Sequence, residues 1–356
     1  LDAVAVPWKY WEIGTRARLA VSAMVRSPQL FREKGRRSIE RLRQEWWELA
    51  CLRRKLSGQI DGTGCPPVTF LDHHMCHAAS AFLVSPFEQA AVLVVDGASE
   101  SHSTMMAFAD GRQIQGLSRT ALPHSLGQFY AAMTAFLGFK PDHDEYIVMG
   151  LAAYGEPRYA ETIRRHLLRL RPDGTFTLNT VLLDFHLARV GIFVPELTAL
   201  LGPARLPDEE VLPRHRDVAA SVQLVLEDVL LALARSLRAK TNVDQLCLAG
   251  GVAYNCVANS RLWREAGFRE IYIPPAAGDS GAAMGAALWH TCRRGAMTQR
   301  PVMTSAYWGP QYTEADCEIA LRQAGLDAQR FADEDLCERV AQELANGKLV
   351  FWFQGR

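Results

Sequence analysis

Two strand, turn and helix units follow one another directly in the second half of the chain, and they restrict its fold more than any other feature. DQLCLAGGVAYN (244–255) runs from a short apolar strand through a glycine pair into a helix start, and REIYIPPAAGDSGAAMGAALWH (269–290) repeats the pattern. Apolar strands that alternate with helices must be covered on both faces by those helices, so the expected fold class is α/β. The same grammar appears earlier. AAVLVVDGASESHSTMMAFAD (90–110) reads as strand, turn, strand with a break at Asp96-Gly97. LGQFYAAMTAFLGF (126–139) and RDVAASVQLVLEDVLLALARSLRAK (216–240) have helical spacing, and DGTFTLN (173–179) is a hairpin.

A chain of 356 residues exceeds one ordinary core. Its texture changes near residue 301, where YTEADCEIALRQAGL reads as a helix and DEDLCERVAQELANGKLVFWF as a helix then a strand. The expected domains are therefore 1–300 and the opening of a second over 301–356. Both ends read as cut: the chain opens on the strand-like LDAVAV and closes on KLVFWFQGR, which suggests a fragment of a longer protein. Residues 26–56 are basic and helical in period, with Ile39, Leu42, Trp46, Leu49 and Leu56 roughly on one side. This is a solvated arginine face, or else a docking surface for an acidic partner or large substrate.

Thirty-nine basic residues balance 39 acidic ones, so no global field favours nucleic acid or an anionic membrane. Eight scattered cysteines without a C-x-x-C pair fit reduced thiols. No apolar run reaches the roughly 18 residues of a membrane span, and the amino end lacks a signal-peptide pattern. The expectation is a cytoplasmic protein with no membrane or nucleic-acid partner, and the sequence is equally compatible with a monomer or an oligomer.

Chemistry concentrates in LDHHMCHAASAF (71–82). His73 and His77, four apart on a helix, project from the same face, whereas His74 sits about 100° round from His73; His74 and His77, three apart, would serve instead if the helix begins late. Imidazole is the commonest metal ligand among side chains, but two make half a site. The H-E-x-x-H pattern of zinc proteases is absent because His74 stands where the glutamate should be. Asp96 and Asp279, each at a strand-to-turn junction, are the carboxylates that complete a His/His/Asp/Asp set, although aspartate is also an ordinary turn and cap residue. Such a set accepts Fe²⁺, Mn²⁺ or Zn²⁺. Cys76, with no activating neighbour in sequence, reads as a small buried filler. In AGGVAYN (249–255) the glycine pair reads first as a tight turn, and otherwise as a place where backbone amides approach a phosphate. No G-x-x-x-x-G-K-[ST] and no G-x-G-x-x-G after a strand is present, which sets aside P-loop and Rossmann sites.

In order, HHMCHAASAF, VLVVDGASE, SLGQFYAAMTAFLGF, DEYIVMGLAAYGEP, LCLAGGVAYNCVAN, IYIPPAAGDSGAAMGAAL and VFWFQGR make the chain resemble, over nearly its whole length, the O-carbamoyltransferases of nodulation and antibiotic biosynthesis. The resemblance implies a duplicated α/β domain of actin/sugar-kinase type, similar to the tRNA threonylcarbamoyl-transferring proteins, followed by a YrdC-like α/β domain. It implies that carbamoyl phosphate and ATP/Mg²⁺ give carbamoyladenylate in the second domain. The first then transfers the carbamoyl group to a hydroxyl of a small-molecule or glycan acceptor at a divalent metal, Fe²⁺ in that scheme. Carried over by position, His73, His77, Asp96 and Asp279 would hold the metal. Gly250, Gly251, Asn255, Gly278 and Ser280 would lie on the nucleotide, and Glu145 would be catalytic.

Three departures stand out. Ile147 replaces a lysine of the family pattern, the first strands with a further histidine would precede Leu1, and the arginine-rich motif would continue past Arg356. A chain so bounded is expected to bind metal and nucleotide without forming carbamoyladenylate alone. The rival readings are threonylcarbamoyl transfer to tRNA, against which the neutral charge balance counts, and a non-catalytic actin-like ATP-binding module.

Overall fold

The computed structural model describes residues 2–12, 14–26, 40, 43–44, 47–48, 50–57, 66–171, 173–183, 196–353 and 356. Of the amphipathic segment expected over 26–56, Ile39, Leu42, Trp46 and Leu49 lie outside the described residues. The chain divides into two compact units, Leu1–Val302 and Met303–Arg356.

In chain order the first unit begins with β1 (Val4–Val6), α1 (Gly14–Arg26), α2 (Leu52–Ser57) and β2 (Val68–Phe70). Next come α3 (His73–Phe82), β3 (Gln89–Val95), β4 (His102–Asp110), β5 (Gln113–Ala121), α4 (Leu126–Phe136) and α5 (Glu145–Ala152). They are followed by α6 (Ala160–His166), the β6 (Leu168–Leu170) and β7 (Phe176–Leu178) hairpin, α7 (Glu196–Leu201) and α8 (Pro213–Thr241). The unit ends with β8 (Gln245–Ala249), α9 (Cys256–Glu265), β9 (Glu270–Tyr272) and α10 (Asp279–Arg293).

Five strands form one sheet in the order β5-β4-β3-β8-β9. The β3–β4–β5 meander is antiparallel, and β8 and β9 extend the other edge in parallel, each reached through a helix. This is the α/β layout that the two strand, turn and helix units require, present in full once among the described residues. β1 and β2 form a separate two-stranded parallel sheet.

The central strand explains its own sequence. Ala90 to Val95 are all buried, because β3 has a helical layer on each side. Alternation divides them between two cores. Ala91, Leu93 and Val95 join the larger core with Phe129 and Met133 of α4 and Val225, Leu226 and Val229 of α8. Ala90, Val92 and Val94 join the other with Ala78, Ala79 and Phe82 of α3. Each fully buried aliphatic side chain of this kind contributes about 1.5–3 kcal/mol, so the register of β3 is firmly set. The helix α8 begins with proline at its first turn and ends at Asn242, whose φ of 53° provides a left-handed cap.

On the α3 side a second helix, α10, packs against α3 almost backbone to backbone. A Cβ placed on Gly285 would stand 1.9 Å from the carbonyl oxygen of Cys76 and 2.8 Å from the amide nitrogen of Ser80. Cys76 is correspondingly buried beside Ala282 and Ala286, a filler as its sequence context suggests.

The second unit contains α11 (Glu314–Gln323) and α12 (Asp333–Ala345). The capping box Thr313/Asp316 starts α11, and Arg330 pairs with Glu314 and Glu318. The strand expected at KLVFWF does not form among the described residues, and Leu349 and Phe351 are almost wholly exposed. An extended apolar run becomes a strand only when a neighbouring strand supplies its hydrogen bonds, and none does so among the described residues.

The α3–α10 contact leads to a direct expectation. Gly285→Ala must push the helices apart and should lower stability by about 1–3 kcal/mol, measured by thermal or denaturant unfolding. The neighbouring exposed substitution Ser280→Ala should leave the unfolding midpoint nearly unchanged.

Candidate metal centre

Four side chains that are far apart in sequence converge where α3, the end of β3 and the start of α10 meet. Asp72 caps α3, accepting the Met75 amide at 2.9 Å, and its other oxygen pairs with Arg119 at 3.3 Å. One turn of helix then stacks His73 and His77 on the same face. Asp96 directly follows β3, and as the next even position after Val94 it turns to the α3 side. Its main chain still belongs to the ladder, donating to Ser103 at 2.9 Å. Asp279 opens α10, and the close α3–α10 packing carries it onto the two imidazoles.

The resulting distances are short and similar. His73 Nε2 lies 3.1 Å from His77 Nε2, 3.2 Å from Asp96 Oδ2 and 3.4 Å from Asp279 Oδ1. His77 Nε2 lies 3.6 Å from Asp96 Oδ2 and 3.3 Å from Asp279 Oδ1. One ligand atom from each of the four residues falls within 4.8 Å of every other. Ligands about 2.1 Å from a shared ion stand about 3.4 Å apart at tetrahedral angles and about 3.0 Å apart at right angles. The donor set and its spacing therefore fit a divalent first-row ion. Two imidazole nitrogens aimed at each other across 3.1 Å also need a cation or a proton between them.

The surroundings fix His73 and Asp96. His73 Nδ1 donates to the carbonyl of Pro7 at 2.9 Å, which leaves the Nε2 lone pair for the centre. Trp8 packs edge-on against the His73 ring with centroids 4.8 Å apart. Asp96 Oδ1 accepts the Gly251 amide at 3.0 Å, so only Oδ2 faces the imidazoles. That hydrogen bond requires the glycine turn to run tight against β3. Gly250 has φ of 90°, and a Cβ there would sit 2.2 Å from the Val95 carbonyl oxygen.

His73, His77 and Asp96 are buried, whereas the Asp279 side chain is 78% exposed, which leaves one flank open. Burial disfavours a charged His73, but hydrogen bonds to Asp279 and Asp96 outweigh it and push its pKa up to about 10. The same balance raises His77. Burial also opposes an ionised Asp96, yet the two imidazoles hold it well below the usual carboxylate range. Asp279 is lowered by its hydrogen bonds with His73 and His77.

The other sequence candidates fall around this centre or away from it. His74 is excluded from the cluster, as its position on the helix requires. It is fully buried with its ring edge-on to His102 at 5.5 Å, and burial pushes its pKa down to about 3. Gly278 precedes Asp279 and lies under the Tyr254 ring, where a Cβ would meet Cε2 at 2.9 Å. Ser280 is exposed in the first turn of α10. Asn255 caps α9 and exchanges amide hydrogen bonds with Gln223, each at 2.9 Å, while Gln223 also accepts from Tyr130. The contacts of Glu145 are local: it accepts the Asp142 amide at 2.7 Å at the start of α5, and burial raises its pKa.

Sequence reasoning overlooked the Pro7 carbonyl, the Gly251 amide and Glu100. The first two are main-chain groups with no signature in residue type. Glu100, in the DGASE turn, could have been singled out as an acid close to a ligand aspartate.

An α/β domain with a two-histidine, two-aspartate cluster at the end of its central strand is thus the class that fold and site define. Residues 38–288 match the family described as "Carbamoyltransferase N-terminus". The chain is 44% identical over 300 residues to the uncharacterised protein sll1178 of Synechocystis sp., covering 82% of this chain and 48% of that protein. It is 37% identical over 290 residues to nodulation protein NolO of Bradyrhizobium diazoefficiens, covering 80% of this chain and 50% of the relative. With nodulation protein NolNO of Sinorhizobium fredii it shares 33% identity over 308 residues, 86% of this chain and 44% of that one. The chain belongs to the carbamoyltransferase amino-terminal family and spans about half the length of these relatives. No described helix is long and apolar enough to cross a membrane.

The raised His73 pKa gives a pH dependence. In metal-free protein its protonation contributes stability that is complete below about pH 6.5 and is lost as pH rises towards 10. Chelator-treated protein should therefore melt at lower temperature at about pH 9 than at about pH 6. Added Mn²⁺ or Zn²⁺, which takes the place of the proton, should raise the melting temperature more at the higher pH.

Proposed function

We propose that this chain holds the acceptor-carbamoylating centre of an O-carbamoyltransferase, with His73, His77, Asp96 and Asp279 as ligands of a divalent ion, Fe²⁺ by resemblance to the family. The observation that carries this reading is the set of ligand separations: 3.1 Å between the two imidazole nitrogens and 3.2–3.6 Å from each of them to each carboxylate. When bound, such an ion polarises a carbamoyl oxygen or lowers the pKa of an acceptor hydroxyl.

The residues of the chain do the rest. His73 and His77 give up their protons to receive the ion, and the Pro7 carbonyl keeps the His73 ring in the productive tautomer. Asp96 is held from behind by the Gly251 amide. Asp279, on the open flank, leaves room for the acceptor and the activated carbamoyl donor to reach the centre. By the resemblance alone, Gly250, Gly251, Asn255, Gly278 and Ser280 face the nucleotide of carbamoyladenylate formed from carbamoyl phosphate and ATP/Mg²⁺. Glu145 enters through the resemblance alone. The acceptor class is a hydroxylated natural product or glycan, and the location is the cytoplasm, in keeping with the free cysteines among the described residues.

The test uses the full-length protein. Metal content, and carbamoyl transfer to hydroxylated acceptors from carbamoyl phosphate and ATP, are measured for the wild type, His77→Ala and Asp279→Ala. Loss of a direct ligand should weaken metal binding at least as much as the roughly 10–100-fold that follows loss of an outer hydrogen-bond partner, and transfer should fall with it. Unchanged metal content in both variants would overturn the reading.

A further inference from the structure

We infer that Glu100 is a positioning residue for the metal centre, a buried carboxylate that fixes His73 from two directions by gathering main-chain amides around it. The inference rests on the metal reading of the four-residue cluster and assigns to it a residue outside the ligand set.

Glu100 lies in the turn between β3 and β4, four residues after Asp96, and is 2% exposed. Its Oε1 accepts the Lys9 amide at 3.0 Å and the His73 amide at 3.3 Å, with Oε2 at 3.5 Å from the same His73 nitrogen. Among the described residues no cationic side chain pairs with it. A carboxylate buried without a cation is costly, and hydrogen bonds to it are correspondingly strong.

The two amides share one feature: both belong to segments that grip the His73 ring. The His73 amide is at the first residue of α3, where a negative charge also complements the positive end of the helix. The Lys9 amide anchors the loop that follows β1, and this loop carries both Pro7, which accepts from His73 Nδ1, and Trp8, which packs on the ring. β1 is three residues long and, among the described residues, pairs only with β2. The Leu71 amide also ties this segment to the start of α3, donating to the Val6 carbonyl at 2.8 Å, and Glu100 adds a side-chain tie nearer the ring, bonded to both the Lys9 and His73 amides. Without it, the carbonyl that selects the His73 tautomer is held less firmly, and the ligand is aimed less well.

Cobalt(II) titration of the full-length protein tests this, because the visible spectrum of bound Co²⁺ reports ligand geometry while the titration reports affinity. Glu100→Ala should weaken Co²⁺ binding by about 10–100-fold and change the visible bands. Glu100→Gln should retain most of the affinity and the wild-type band positions, since both amides share Oε1 and an amide oxygen can accept from them. Lys9→Pro, which removes one donor and leaves Glu100 in place, should weaken Co²⁺ binding in the same direction, and it provides the reading if Glu100→Ala does not fold. Wild-type affinity and spectrum in Glu100→Ala, or in Lys9→Pro should the alanine variant fail to fold, would overturn the inference while the metal reading stands. Absence of Co²⁺ binding by the wild type would remove the metal reading and this inference with it.

Discussion

The contact between α3 and α10 is the constraint on which the site depends. It forms where Gly285 lets a helix backbone meet the Cys76 carbonyl with no side chain between them. Ala282 and Ala286 extend the contact, and Leu71 and Cys76 fill the space beside it. The closeness is what allows a residue as short as aspartate, at the first position of α10, to reach imidazoles on α3. A wider spacing would have called for a glutamate, or for a loop with far less precision. The small residues of DSGAAMGAA thus serve the chemistry through distance, although none of them touches the ligand atoms.

The second support is electrostatic. Two acids and two imidazoles, three of the four buried, sit together, and each kind stabilises the charged form of the other. The arrangement is costly to assemble in a dry interior unless proton or cation fills it. The groups in contact with its side chains include neutral and main-chain ones: a carbonyl from Pro7, an amide from Gly251, and the uncharged ring of His74 beside His73.

Much of this was legible in the sequence, for identifiable reasons. Periodicity placed α4 and α8, the strand, turn and helix pattern placed α10, and the i, i+4 rule separated His73 and His77 from His74. Asp96 and Asp279 were visible because each ends an apolar strand or opens a small-residue helix. What the sequence could not show were contacts made by main-chain atoms, since a carbonyl at Pro7 or an amide at Gly251 looks like any other. AGGVAYN illustrates the difference. Its glycines read as a tight turn or a phosphate cradle, and nothing in residue type showed that the turn would commit the Gly251 amide to Asp96. The apolar run at 349–353 misled in the opposite direction, because strand propensity counts for nothing without a neighbouring strand.

The alternation of β3 also carries a consequence for how such a chain tolerates insertion and deletion. Its odd and even residues serve different cores, and Asp96 takes its side by being even-numbered with Val92 and Val94. Loss of a single residue upstream within the strand would exchange the two faces and aim the carboxylate into the aliphatic core. Loss of two would preserve parity and shorten only the ladder. The centre thus acts as a parity check on the sheet, and length variation among related chains should collect in the connections and spare β3.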